Sequence, residues 1–108
     1  MVVHKLMLMN DFFIQAIARR RSYYHLKDRP LVDDERVVEL IDELLATMPT
    51  PYNVQSARVV LLLGDHHREM WHLVIEALRE ILPKERFIAS RDKIDRSFAS
   101  GHGTVLFY

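Results

Sequence analysis

Six consecutive residues, Arg19-Arg20-Arg21-Ser22-Tyr23-Tyr24, concentrate three guanidiniums, a hydroxyl and two phenol rings. A guanidinium is a planar fork of donors that fits phosphate oxygens, and a serine hydroxyl adds a short donor beside it. A tyrosine ring can cover an apolar or aromatic ligand edge while its hydroxyl stays in water. The segment lies where the apolar helical pattern from Phe12 to Ile17 runs out. It therefore also suits a solvated basic helix end, favoured by the helix dipole. On these residues alone, a phosphate site and a basic helix end are both open.

Asn53 and Gln55 form a second constellation: two carboxamides separated by Val54, in a loop pinned by Pro49 and Pro51. Each carboxamide offers donors and an acceptor. A heterocycle with alternating carbonyl and N–H groups, such as a flavin's pyrimidine ring, would match the pair. An Asn turn with a solvent-facing Gln accounts for the same residues.

The remaining polar residues point away from side-chain catalysis. His66, His67 and His72 lack the i,i+4 spacing that places two imidazoles on one helix face, and they read as surface or packing residues. Gly64, Gly101 and Gly103 fit neither a dinucleotide fingerprint nor a P-loop. Ser22, Ser56, Ser90, Ser97 and Ser100 lie in no nucleophile elbow. Asp33, Asp34 and Glu35 fit a helix start. With no cysteine, thiolate chemistry, disulfides and zinc–thiolate sites are excluded. The sequence points to no catalytic side chain and no metal site.

These residues need elements to hold them. Asn10 is a candidate N-cap, with Asp11 in the first turn of a helix that ends near Arg20 or Arg21. Ser22 to Val32 reads as a connection, because Pro30 forbids helix through it. Asp33 caps the next helix, whose stripe Val37, Leu40, Ile41, Leu44, Leu45 and Met48 has the spacing of a core face. Pro49-Thr50-Pro51 stops it. Val59 to Leu63 is a continuous apolar run of the kind buried on both faces of a sheet. Asp65 is expected to cap a helix from His66 to Leu82, closed by Pro83. A short helix is expected over Ser90 to Phe98, and a second strand from Thr104 to Tyr108 after the Gly101-His102-Gly103 turn.

At 108 residues the chain suits one domain. Fifteen basic residues balance fifteen acidic ones, which argues against general nucleic-acid binding. No apolar run reaches the length of a membrane span. Met1 to Met9 contains His4 and Lys5 and lacks a small-residue cleavage site, so cytoplasm is the expected location. Residues 1–9 are expected to be an extension. Two strands and three apolar-faced helices make an incomplete sheet, and the chain ends on an apolar strand. The expectation is the N-terminal half of a longer chain, or a subunit completed by a partner.

The order of these signals resembles the N-terminal half of the FMN-dependent nitroreductase family. A helix ends in Arg20-Arg21-Ser22; a proline-rich helix end leads to Asn53-Val54-Gln55; a buried strand and a helix follow, then Gly101-His102-Gly103-Thr104-Val105-Leu106-Phe107. The closer likeness is to the short fungal and bacterial nitroreductase-like subgroup, over Asp11 to Tyr108. The resemblance implies an α+β fold, a three-layer α/β/α arrangement around a mainly antiparallel sheet, incomplete in residues 10–108. It implies FMN as cofactor, NAD(P)H as electron donor and nitro or quinone-type acceptors, with the flavin carrying the chemistry. It assigns Arg20, Arg21 and Ser22 to the FMN phosphate and ribityl chain. It assigns Asn53 and Gln55 to the isoalloxazine ring, in a loop that reaches FMN across a homodimer interface. Pro51 and Tyr52 replace small residues common in that loop. The family's C-terminal half supplies further phosphate contacts, so residues 1–108 alone are expected to be inactive, colourless and self-associated. Two other readings stay open: a non-catalytic module binding a phosphate ligand or RNA through Arg19 to Tyr24, and a helical interaction domain.

Overall fold

A computed structural model describes the backbone of residues 2–108 and the side chains of residues 11–108. Helix α1 spans Val2–Arg19, so Asn10 lies in mid-helix and is not its cap. Leu, Met and Lys before Asn10 are good helix formers, and a single interior Asn costs the helix less than about 1 kcal/mol. The expected extension, residues 1–9, otherwise falls outside the residues whose side chains are described.

Helix α2 spans Asp34–Thr47 and begins as expected: the Asp33 carboxylate accepts a hydrogen bond from the Arg36 backbone N–H at 3.2 Å. It ends before Pro49, and a single 3₁₀ turn, Pro51–Asn53, follows. Strand β1, Val59–Leu63, runs directly into helix α3, Gly64–Ile81. Gly64 makes that reversal at φ 54°, a left-handed conformation glycine adopts without strain. The helix therefore starts before Asp65, which sits in the first turn paired with Arg68 instead of capping.

Helix α4 covers Lys84–Ser97, longer than the helix expected over Ser90 to Phe98. Pro83 explains the difference. It ends α3, and it occupies the N-cap position of α4, where a missing N–H is harmless. Strand β2, Gly103–Phe107, pairs antiparallel with β1, in a register running from Val59 opposite Phe107 to Leu63 opposite Gly103. Reciprocal bonds between Arg58 and Tyr108 extend the ladder by one residue pair. The α+β class and the antiparallel sheet are as the sequence suggested.

Gly103 stands at the tightest point of the sheet. A Cβ there would lie 2.6 Å from Leu63 Cδ2 and 2.8 Å from the Leu62 carbonyl oxygen. The best-covered part of the molecule is where α3, α4 and the turn before β2 meet. Ile94 is 7% exposed and His67 2%. Trp71 stacks on Phe98 with ring centroids 5.3 Å apart.

Two burial expectations are corrected. β1 is half-buried along its length and not enclosed on both faces, because among the described residues it has one strand neighbour. On α2, the row Val37, Ile41 and Leu45 is half-buried, whereas Leu40, Leu44 and Met48 are exposed. Two strands are wide enough to receive one row of that stripe: Ile41 and Leu45 line a space of about 170 Å³ with Val59 and Leu61.

Candidate functional site

The loop after α2 is built by prolines and held by its own hydrogen bonds. Asn53 N–H donates to the Thr50 carbonyl at 3.0 Å, and Gln55 N–H to the Thr50 hydroxyl at 3.1 Å. Tyr52, Asn53 and Gln55 all take positive φ, 53°, 56° and 52°. Asparagine tolerates that region; for Tyr and Gln it stores strain of the order of 1 kcal/mol or more each. This conformation turns both carboxamides to one side. Gln55 Nε2 donates to Asn53 Oδ1 at 3.1 Å, and both side chains line a cavity of about 440 Å³ with Thr47, Met48, Pro49 and Thr50.

Counting donors shows what this pair can still do. Each carboxamide has one NH₂ and one carbonyl. Their mutual bond uses one donor and one acceptor. The Asn53 NH₂ and the Gln55 carbonyl are untouched by it, and exchanging O and N on both residues still leaves one whole group of each kind. A free donor beside a free acceptor is complementary to a carbonyl next to an N–H on a ligand ring.

The end of α1 divides its roles. Arg20 N–H closes the helix on the Ala16 and Ile17 carbonyls at 3.1 and 3.3 Å. Arg21 Nη1 folds back to donate to the Ala18 and Arg20 carbonyls at 2.7 and 2.9 Å. Arg21 thus performs the helix-end function, covering carbonyls that would repel an anion. The Arg20 and Ser22 side chains are exposed and form no hydrogen bond among the described residues. No hydrogen bond joins Arg20, Arg21 or Ser22 to Asn53 or Gln55 among those residues.

Beyond Ser22 the connection lies on the well-covered region. Tyr24 meets the Phe98 ring edge-on at 6.3 Å, and Leu26 packs at Gly101. A cavity of about 450 Å³ opens beside Tyr24, lined also by His25, Lys93, Arg96 and Ser97, with Lys93 Nζ 5.6 Å from the Tyr24 ring centroid. Sequence reasoning missed these two cations. Lys93, Arg96 and Ser97 have i, i+3, i+4 spacing and share one face even of the shorter helix expected over Ser90 to Phe98, but no local pattern pairs that face with Tyr24.

His102 was also missed. Its ring nitrogens approach Asp28 and Asp34, and the Asp34 carboxylate, then the Asp28 carboxylate, raises the imidazole above its ordinary 6.5. Of the three histidines on α3, His67 is a packing residue, bonded to the Thr104 hydroxyl at 2.8 Å and the Ala99 carbonyl at 3.0 Å. His66 and His72 are exposed. No helix among the described residues is long and apolar enough to cross a membrane.

This geometry has relatives. The profile of the nitroreductase family matches residues 17–108. The nitroreductase FRM2 of Saccharomyces cerevisiae is 32% identical over 101 residues, covering 89% of this chain and 47% of that protein. A crystal structure of a nitroreductase from Saccharomyces cerevisiae superposes with a TM-score of 0.70 at 28% identity, over 88% of this chain and 51% of that one. The nitroreductase CinD from Lactococcus lactis, solved in complex with 4-nitrophenol, gives a TM-score of 0.67 at 32% identity, over 88% and 46%. The chain spans about half the length of the curated relatives it matches.

Proposed function

The chain belongs to the nitroreductase family, and from that premise we propose that it is the N-terminal half of an FMN-dependent oxidoreductase. Residues 10–108 form that half in this reading, with residues 1–9 as an extension. The electron donor is NAD(P)H and the acceptors are small nitro or quinone-type compounds. The complex of CinD with 4-nitrophenol supports a nitroaromatic acceptor. Bound FMN would supply the redox chemistry, accepting electrons from the nicotinamide and passing them to the acceptor.

The observation that carries the reading is the carboxamide pair. Asn53 and Gln55 bond to each other at 3.1 Å, face a cavity of about 440 Å³, and keep one NH₂ and one carbonyl wholly free. That is the complement of the carbonyl and N–H on a flavin's pyrimidine edge. The strained backbone supports it too, since left-handed non-glycine residues cluster at ligand clamps. Arg20 and Ser22 supply donors to the phosphate, while Arg21 neutralises the helix carbonyls beneath it. The chain's work is binding and orientation. Asn53 and Gln55 fix the ring, and Arg20 and Ser22 fix the phosphate. The two groups share no hydrogen bond, which suits a site assembled between the subunits of a homodimer, with the loop reaching the partner's FMN.

The test is FMN binding by the full-length protein, followed by flavin fluorescence. Arg20→Ala should weaken affinity by about 1.5–3 kcal/mol, the scale of one charge-assisted hydrogen bond. Unchanged affinity would remove Arg20 from the site.

A further inference from the structure

His102 occupies the turn that feeds β2, and both of its ring nitrogens face carboxylates. Nδ1 lies 2.5 Å from Asp28 Oδ1, and Nε2 lies 2.7 Å from Asp34 Oδ1. Asp28 belongs to the 20–33 connection and Asp34 opens α2; they are 74 and 68 residues from His102 in sequence. A neutral imidazole has one N–H and one lone pair. It can donate to one carboxylate, but must then turn its lone pair on the other. The imidazolium donates to both. The two-sided geometry is therefore that of the charged ring.

We propose that Asp28, His102 and Asp34 form a protonation-dependent clamp, fastening the 20–33 connection and the start of α2 to the turn before β2. The charged groups facing the ring are Asp28 from the connection and Asp34 from α2. Its chain neighbours Gly101 and Gly103 contribute none, and Asp33 is engaged with the Arg36 N–H. The His102 side chain is 32% exposed, so its proton exchanges with solvent and the clamp follows bulk pH.

The direction follows from linkage. The folded protein holds the imidazole proton more tightly than the unfolded chain does, because the partnered ring titrates above 6.5. The clamp's contribution is complete below 6.5 and is lost as pH rises through the folded value. Loosening it frees the connection at Asp28, leaving the Tyr24–Phe98 and Leu26–Gly101 contacts. The connection begins at Arg20–Ser22, and α2 leads to Asn53 and Gln55. A pH effect on flavin binding would follow, and only that consequence rests on the function proposed above.

Two measurements on the full-length protein, neither involving flavin, test the clamp: NMR titration of the His102 ring, and backbone amide relaxation order parameters over residues 22–33 followed with pH. The ring should titrate above 6.5, and the order parameters of residues 22–33 should fall through that same titration. His102→Asn should hold these residues at their high-pH order parameters throughout. Asp28→Asn, at an exposed position outside the turn, should lower the His102 titration and abolish the pH-dependent change, and it decides the matter should His102→Asn not fold. A ring titrating at or below 6.5, or order parameters over 22–33 indifferent to pH, would overturn the clamp. Because no flavin enters, a failed FMN assignment leaves the result intact.

Discussion

Among single residues, Thr104 has the most constrained hydrogen-bonding role. His67 Nε2 faces the Ala99 carbonyl at 3.0 Å, so that nitrogen carries an N–H, and in the neutral ring Nδ1 is the acceptor. The Thr104 hydroxyl, 2.8 Å away, must then donate to Nδ1, leaving its lone pairs for the Trp71 indole N–H at 3.0 Å. One hydroxyl proton and one lone pair tie α3 to β2. Thr104→Val keeps the shape and removes both bonds, orphaning a buried acceptor and an indole donor. It should lower stability by about 1–3 kcal/mol in urea denaturation, with Thr104→Ser retaining most of it. A Val variant as stable as wild type would mean that water replaces the hydroxyl. This network shows where sequence reading stops. Asn53 and Gln55 were legible as a pair because one loop contains both. His67 and His102 were not, because their partners lie 32 to 74 residues away and no local pattern connects them.

Secondary structure was legible where the chain punctuates itself and less so where it does not. Asp33 and Pro49 bracket α2, and both strands were found because apolar β-prone runs end at Arg58, Gly64 and Gly103. The start of α3 was misplaced because Asp65 resembles a cap, while a glycine at φ 54° had already turned the chain. α4 was expected too short because its charged first half carries little apolar periodicity. The strand pair itself rests on a residue without a side chain. A Cβ at position 103 meets the Leu62 carbonyl at 2.8 Å, and backbone cannot move aside as a flexible side chain can. Gly103→Ala should therefore destabilise by about 1–3 kcal/mol, the usual range for overpacking. The same substitution at Gly64, where nothing lies within 4 Å, acts through its left-handed φ alone. Comparing their thermal midpoints separates steric from conformational cost. A Gly103→Ala variant as stable as wild type would show that the close approach there relaxes.

For the molecule as a whole, the radius of gyration is 18.4 Å, against roughly 13 Å for a compact domain of this length. The excess goes with exposed apolar side chains: Phe12, Phe13 and Ile17 on α1, and Leu40, Leu44 and Met48 on α2. Sequence periodicity identified both stripes as surfaces needing a cover, but a stripe does not specify what covers it. The proposed homodimer gives one answer, and its shared site makes that answer testable. If Arg20 and Ser22 of one protomer meet Asn53 and Gln55 of the other at each FMN, lesions in the two groups can complement. Homodimers of Arg20→Ala carry one lesion in every site, as do homodimers of the double variant Asn53→Ala/Gln55→Ala. In a mixed dimer both lesions fall into one site and the other is intact. Random exchange of full-length subunits should then restore about one site in four, with wild-type FMN affinity and turnover at those sites. A site contained within one subunit predicts no recovery, since each site of the mixed dimer would keep one lesion. Mixing the two weakly binding preparations and titrating FMN distinguishes the arrangements; recovery absent despite verified subunit exchange would sink the cross-subunit site.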